Sequence, residues 1–109
     1  MDRKNTLEAL SALSQGTRLD VFRLLVRAGP DGLYAGDIAA RLAVRQNTMS
    51  TNLGVLARAG LVRREREGRS IRYVADLDGM RGLLTYLMED CCGGRPETCE
   101  PLLKELVCV

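Results

Sequence analysis

Residues 37–73 read DIAARLAVRQNTMSTNLGVLARAGLVRREREGRSIRY, and the order of the structural signals within them sets the architecture of the chain. Apolar residues first recur every three or four positions, which predicts a helix ending at Leu42 and, after a short connection, a second helix over residues 46–59. Gly60 follows, at a position where glycine commonly ends a helix. Beyond it, two short runs of β-prone residues flank residues 67–69, and this pattern predicts a hairpin with a basic tip.

The segments on either side add further helices. A stripe of leucines predicts an N-terminal helix over residues 6–15, and Thr17 is the predicted N-cap of a second helix over residues 18–28. After the hairpin, Asp76 or Asp78 can cap a fifth helix, and a short helix over residues 100–107 closes the chain. The predicted fold class is therefore mainly α with a small β-hairpin, in the order of a winged helix-turn-helix.

Composition sets broad limits on the function. The chain has 109 residues, a formal net charge of +2 and 46% hydrophobic residues, which suits one compact domain. No apolar run approaches the roughly 20 residues that span a bilayer, and no signal-type segment is recognised, so we expect a soluble cytoplasmic protein without a membrane partner. Histidine is absent, and we find no nucleotide-binding loop and no Cys-x-x-Cys pair. We therefore expect no enzymatic activity.

Basic residues concentrate in the middle of the chain. Between Arg41 and Tyr73, eight arginines stand against two glutamates, a net charge of +6, so the remainder carries −4. The guanidinium group suits phosphates and guanine edges better than an ammonium group does. A solvated face is the simpler interpretation. However, the basic span coincides with the helix-turn-helix and hairpin pattern, which favours double-stranded DNA as the partner.

The predicted helix over residues 46–59 has an unusual outer face. It carries amides and hydroxyls and no acid, whereas a structural helix normally exposes Glu and Lys there. Amide side chains can bond adenine edges, and hydroxyls bond several bases and phosphates. The candidate DNA-binding residues are Arg45, Gln46, Asn47, Thr48, Ser50, Thr51 and Asn52 at this helix, and Arg66, Arg69 and Arg72 in the hairpin.

These segments resemble the ArsR/SmtB family of bacterial winged helix-turn-helix repressors. The similarity is carried by residues 9–19 (ALSALSQGTRL), 37–42 (DIAARL), 52–62 (NLGVLARAGLV) and 66–73 (REGRSIRY), and it extends over about residues 7–90. The resemblance implies a metal- or metalloid-sensing repressor of an operator with dyad symmetry. It places the second helix of the helix-turn-helix in the major groove and the hairpin, or wing, on the DNA backbone. No cofactor is then expected for DNA binding itself.

The resemblance also implies a homodimer joined through the first and fifth helices. Apolar residues on both helices exceed what so small a core needs, and burial between two subunits would account for them. The predicted interface contains Leu7, Leu10, Leu13, Met80, Leu83, Leu84 and Leu87.

Four cysteines lie close to the C-terminus, at Cys91, Cys92, Cys99 and Cys108. Clustering at one end of a cytosolic chain favours reduced thiols that bind a ligand or sense oxidation. As(III) and Sb(III) prefer three thiolates, which Cys91, Cys92 and Cys99 could supply across a loop that contains glycine and proline. The pattern also resembles a subset of the family whose arsenic site lies in C-terminal cysteines. Residues 33–37 contain no thiol, unlike many arsenic sensors of the family, and the family's zinc site needs histidine.

Other interpretations stay open. Cd, Pb or Zn would also accept three or four thiolates, with Cys108 completing a set of four. A disulfide-based redox switch, or buried cysteines without a ligand, are further alternatives. A metal-buffering protein that does not bind DNA is the rival from another class. We expect residues 1–90 to form the DNA-binding and dimerisation domain. Residues 91–109 would form a metalloid-binding appendage, with As(III) or Sb(III) as the inducer of an arsenic-resistance repressor.

Overall fold

A computed structural model describes residues 1–89 and 96–105 of the chain. Helices dominate this part of the chain, and three short strands form one sheet. The helices are α1 (Arg3–Leu13), α2 (Gly16–Ala28), α3 (Ala35–Leu42), α4 (Gln46–Arg58), α5 (Leu77–Met88) and α6 (Pro96–Glu105). The strands are β1 (Leu33–Tyr34), β2 (Val62–Glu67) and β3 (Ser70–Ala75).

Polar side chains fix the starts of the first two helices. Asp2 caps α1, because its Oδ1 accepts a hydrogen bond from the Asn5 amide at 2.8 Å, and the helix begins three residues earlier than predicted. Gln15 caps α2, since its Oε1 accepts from the Arg18 amide at 2.8 Å. The prediction that Thr17 caps this helix was wrong: Thr17 lies inside the first turn, and the helix starts at Gly16, one residue after the capping glutamine.

The start of α5 is packed against the end of α4. Gly60 adopts a φ of +79° after α4, as the predicted helix-ending glycine should. Asp76 caps α5 by accepting from the Gly79 amide at 3.1 Å. A Cβ on Gly79 would overlap the carbonyl oxygen of Gly60 and lie 2.9 Å from its carbonyl carbon. Glycine at position 79 is therefore what allows the backbones of the two segments to approach this closely.

The three strands form an antiparallel sheet in the order β1-β3-β2. In the predicted hairpin, Val62 pairs with Ala75 and Glu67 pairs with Ser70, so a two-residue turn joins the strands. Gly68 takes a φ of +59° in this turn, a conformation that glycine adopts without strain. The hairpin projects from the helical part of the molecule as the predicted wing.

The core lies between the helices and the base of the sheet. Its largest fully buried side chains come from α2, α3, α4 and the segment just after α4, and the helical ones follow the predicted three- and four-residue spacing. α5 adds one leucine to this core. The largest fully buried residues are Val21, Leu25, Ile38, Met49, Leu53, Leu56 and Leu61, and Leu83 is 3% exposed.

The C-terminal helix differs from its prediction. The sequence suggested a loop through Cys99 and a helix from position 100, but α6 already begins at Pro96. Proline suits the first turn of a helix, because its φ is preset and its missing N–H would be unpaired there, and Glu97 adds a favourable acid in the same turn. Among the described helices, none is both long and apolar enough to cross a membrane.

Candidate nucleic-acid interface

α3 and α4 form the predicted helix-turn-helix. α3 is followed by Ala43, its C-cap, whose backbone is left-handed with a φ of 54°, and α4 starts after Arg45. The inner face of α4 is buried, so its polar face points to solvent. Of the seven candidate residues at this helix, the six that lie exposed are Arg45, Gln46, Asn47, Thr48, Ser50 and Thr51.

The prediction that Asn52 contacts DNA was wrong. Its side chain is 7% exposed and faces inward, where Oδ1 accepts a hydrogen bond from Arg18 Nη1 at 3.2 Å. Arg18 Nε also donates to the carbonyl oxygen of Ala12 at 2.8 Å. The guanidinium group therefore ties the end of α1 to the middle of α4. Asn52 is placed to hold α4 in position and is not available to a base edge.

Alternation along the wing separates two sets of side chains. Successive residues of a strand point to opposite faces, so Arg64 and Arg66 share the face of the buried Val62, which packs toward the helices. Glu65 and Glu67 lie on the other face. Both acids of the basic segment are thus held away from the side on which Arg64 approaches α4.

The prediction that Arg72 contacts DNA was also wrong. It lies opposite Glu65 in the register of the sheet and is ion-paired with it. Its Nε is 3.0 Å from Glu67 Oε1, and its Nη1 donates to the Asp31 carbonyl oxygen at 2.9 Å. With the side chain only 24% exposed, this arginine is ion-paired with both glutamates of the wing and does not present a free guanidinium group.

Tyr34 completes this cluster on β1. Its hydroxyl donates a hydrogen bond to Glu67 Oε2 at 2.8 Å. That hydrogen bond, with the negative charge of the same carboxylate, raises the pKa of Tyr34 above its ordinary value. The ion pairs recorded in the described part of the chain leave out Arg66 and Arg69, which lie exposed at the tip of the wing as predicted.

Two further arginines, one at the end of α4 and one on β2, were not singled out from the sequence for DNA contact. Arg58 Nη1 and Arg64 Nη2 both lie within 4 Å of the place where a Cβ of Gly54 would be. The placement of Arg58 could have been predicted from its spacing, because positions 47, 54 and 58 fall on the same side of a helix. The approach of β2 to this side could be found only from the folded chain.

Four of the seven residues predicted for the dimer interface lie exposed on α1 and α5. Leu7 and Leu10 on α1 are 53% and 40% exposed, and Leu84 and Leu87 on α5 are 44% and 50% exposed. Leu13 and Met80 are half-buried against the core. Leu83 is the exception, since it is buried within its own chain and its inclusion in a surface stripe was wrong.

An open groove borders this surface. It has a volume of about 810 Å³ and runs between α1 and the C-terminal end of α4. Its lining mixes apolar and basic side chains and is formed by Arg3, Lys4, Leu7, Glu8, Ser11, Ala12, Val55, Arg58 and Ala59.

The predicted thiol site lies largely outside the described residues. Cys91, Cys92 and Cys108 fall in the parts of the chain that the structure does not describe, and Cys99 belongs to α6 by its backbone. Over residues 1–89 and the described positions of α6, no group of three or more His, Cys, Asp or Glu side chains is placed to hold a metal ion. The assignment of Cys91, Cys92 and Cys99 as ligands stays a prediction.

The fold and the basic face of α4 and the wing define a winged helix-turn-helix protein, and comparisons agree. A family described as a helix-turn-helix domain matches residues 13–65. The structure of an ArsR-like transcriptional regulator from Rhodococcus superposes with a TM-score of 0.70 at 25% identity, covering 95% of this chain and 93% of that one. A homodimeric winged helix-turn-helix DNA-binding domain from Mycobacterium bovis gives 0.64 at 27% identity, covering 84% and 90%.

A curated sequence relative gives the same family. The chain is 37% identical over 81 residues to a Halobacterium salinarum protein named "Putative arsenical resistance operon repressor ArsR2". The match covers 74% of this chain and 66% of the relative's length. The comparisons together place the chain among the ArsR-family winged helix-turn-helix regulators, a family of transcription regulators and not of enzymes.

Proposed function

We propose that this protein is a dimeric transcriptional repressor that binds operator DNA through α4 and the wing. One observation carries the proposal: the outward face of α4 is polar and free of acids, and the two glutamates of the neighbouring wing lie on its other face, ion-paired with Arg72. Phosphates therefore meet an uninterrupted set of donors and positive charges. The direct contacts would come from Arg45, Gln46, Asn47, Thr48, Ser50 and Thr51 on α4, and from Arg66 and Arg69 on the wing.

Two copies of the chain would associate through α1 and α5. The four exposed leucines lie on two helices that pack against each other, so pairing with a second copy would remove them from water together. Related structures include a domain described as homodimeric. A two-fold pair would place two α4 helices on half-sites about one helical turn apart, with dyad symmetry.

The dimer is tested by Leu84→Lys. A lysine in a buried interface adds an unpaired charge, and we expect the variant to sediment as a monomer and to lose affinity for the operator. Leu19→Lys is the matched control, because Leu19 is 43% exposed but lies on α2. A Leu84→Lys protein that stays dimeric would contradict the proposed interface.

DNA binding is tested by selecting duplexes from a random pool with the wild-type protein. We expect a selected sequence with dyad symmetry, and a binding constant that falls steeply as salt rises. Asn47→Ala should relax the preference for a base in each half-site, because an amide that contacts an adenine edge reads that base. Failure to enrich any duplex would contradict the function.

We further propose that As(III) or Sb(III) is the inducer and binds Cys91, Cys92 and Cys99. Support comes from the chemistry of the thiols and from the name of the relative from Halobacterium salinarum. When bound, the metalloid would cross-link three thiolates beyond the end of α5. Since α5 carries Leu84 and Leu87, a shift of its end would change the spacing of the two DNA-binding helices and lower operator affinity, by roughly 5- to 150-fold for a coupling of typical size.

The inducer is tested by titrating As(III) into the reduced protein on its selected duplex. On adding As(III), we expect the wild type and Cys108→Ser to release the DNA. Cys92→Ser should bind the DNA normally and not release it. Release by Cd, Pb or Zn but not by As(III) would assign another thiophilic metal. Release by an oxidant alone would assign a redox switch.

A further inference from the structure

Gly54 lies at the centre of the outward face of α4, beneath two arginine side chains. Positions 47, 51, 54 and 58 share one stripe of the helix, directed away from the buried face. Gly54 is nevertheless buried. From the place of a Cβ on Gly54, Arg58 Nη1 is 3.4 Å away and Arg64 Nη2 is 3.7 Å away. The two guanidinium groups therefore converge on one point of the exposed stripe.

The two arginines reach this point from different elements. Arg58 follows Gly54 by four residues, and helical side chains lean toward the N-terminus, so its side chain extends back over the preceding turn. Arg64 comes from β2, on the strand face that packs toward the helices. The site thus depends on the wing and α4 being packed together.

Nothing in the described chain neutralises this pair. The ion pairs recorded there include neither Arg58 nor Arg64, and Arg72 already occupies Glu65 and Glu67 on the opposite face of the wing. Two like charges that converge without an acid repel each other, and an anion placed between them removes that repulsion.

We propose that Arg58 and Arg64 form a phosphate clamp, a two-pronged site on Gly54 for one phosphodiester group of the DNA backbone. The assignment rests on the proposed DNA-binding function. A phosphodiester group has two charged oxygens that can each accept from a separate guanidinium group, whereas a guanine edge is read by one arginine. Because Gly54 has no side chain, nothing at this position stands between the two guanidinium groups, and both arginines are exposed to an approaching anion.

The test is the salt dependence of DNA binding, measured by fluorescence anisotropy between about 50 and 200 mM KCl. The probes are a labelled duplex of arbitrary sequence and the duplex selected by the wild-type protein. For the variant R58Q/R64Q, we expect the slope of log K against log salt to become shallower by about 0.9 per half-site, on both duplexes. At 0.1 M salt this corresponds to a roughly eightfold loss of affinity per half-site.

The single variants and a matched control sharpen the result. R58Q and R64Q should each weaken binding, and the double variant should lose less than the product of the two single effects, because both side chains hold the same phosphate. Arg27→Gln removes the same charge from an exposed position on α2 and should leave the slope unchanged. Both clamp residues are exposed, so the thermal midpoint of the variants should match that of the wild type.

The outcomes separate the clamp from the function on which it rests. An unchanged slope in R58Q/R64Q, with normal binding by the wild type, overturns the clamp and leaves the function intact. A loss confined to the selected duplex would assign a base contact, and a parallel loss of stability would assign a structural role; either result overturns the clamp. A wild-type protein that binds neither duplex overturns both proposals.

Discussion

Asn52→Ala removes the acceptor that holds Arg18 of α2 against α4. In the wild type, Arg18 Nη1 donates to Asn52 Oδ1 at 3.2 Å, and Arg18 Nε donates to Ala12 O at 2.8 Å. Asn52 is 7% exposed, so its truncation also leaves a space inside the chain. The substitution leaves one donor of a partly buried cation without its partner.

The size of the effect follows from these contacts. Loss of a hydrogen bond to a charged group costs about 1.5–3 kcal/mol. Arg18 is half-buried, and water can reach part of its guanidinium group, so we expect the lower half of this range, about 1.5–2 kcal/mol. For a domain of this length, that corresponds to a fall in Tm of about 6–10 °C.

The assay is thermal and urea unfolding followed by circular dichroism at a fixed protein concentration, because association would change the apparent stability. Gln46→Ala is the control: it truncates an exposed amide on the same helix and should change the free energy of unfolding by less than about 0.5 kcal/mol. Asn52→Asp keeps an acceptor facing Arg18 and should retain most of the stability. An Asn52→Ala protein as stable as Gln46→Ala, but with altered base preference, would refute this reasoning and restore Asn52 as a base-contacting residue.

Gly54→Ala should raise the free energy of unfolding by about 0.5–1 kcal/mol, because the new Cβ meets only the ends of flexible arginines and alanine favours the helix. Gly79→Ala should lower the free energy of unfolding by about 2–3 kcal/mol, because its Cβ would overlap the Gly60 carbonyl. If urea unfolding gave the same change for Gly54→Ala and Gly79→Ala, the close approach of Gly79 to Gly60 would be contradicted. Glu67→Gln should lower the pKa of Tyr34 toward 10.0, as followed by ultraviolet absorbance with Tyr34→Phe as reference. Since the folded pKa is raised, the Tyr34–Glu67 contact should stabilise the fold below about pH 10 and be lost as the pH rises through that folded pKa; an unmoved titration curve would show that the hydrogen bond is absent in solution.

The order of the elements could be predicted because local signals agree with the fold. The apolar spacing around Met49 and Leu53 and the glycine at position 60 fix α4 and its end, and the change of period after Gly60 gives the hairpin. The early start of α1 was missed because the cap at Asp2 stands before the first leucine of the stripe, outside the periodic signal.

Individual site residues were harder to predict, because the type of a residue does not say which way its side chain points. Asn52 shares its chemistry with the exposed Asn47, but it stands three residues after Met49 and four before Leu56, on the buried face of α4, where Arg18 supplies its hydrogen-bond partner. Arg72 is one of the eight arginines of the basic segment, but it lies opposite Glu65 in the sheet and forms an ion pair with it, so its charge is not free for DNA. Leu83 continues an apolar pattern whose neighbours are exposed, and the angle at which α5 meets the core decides which of them is covered.

Native mass spectrometry of the reduced protein with its selected duplex, combined with the salt dependence of affinity, tests the central claim most directly. We predict a complex of two chains on one duplex and an affinity that falls by orders of magnitude as salt rises from about 50 to 200 mM. A protein that stays a monomer, or that binds no duplex even at low ionic strength, would contradict it.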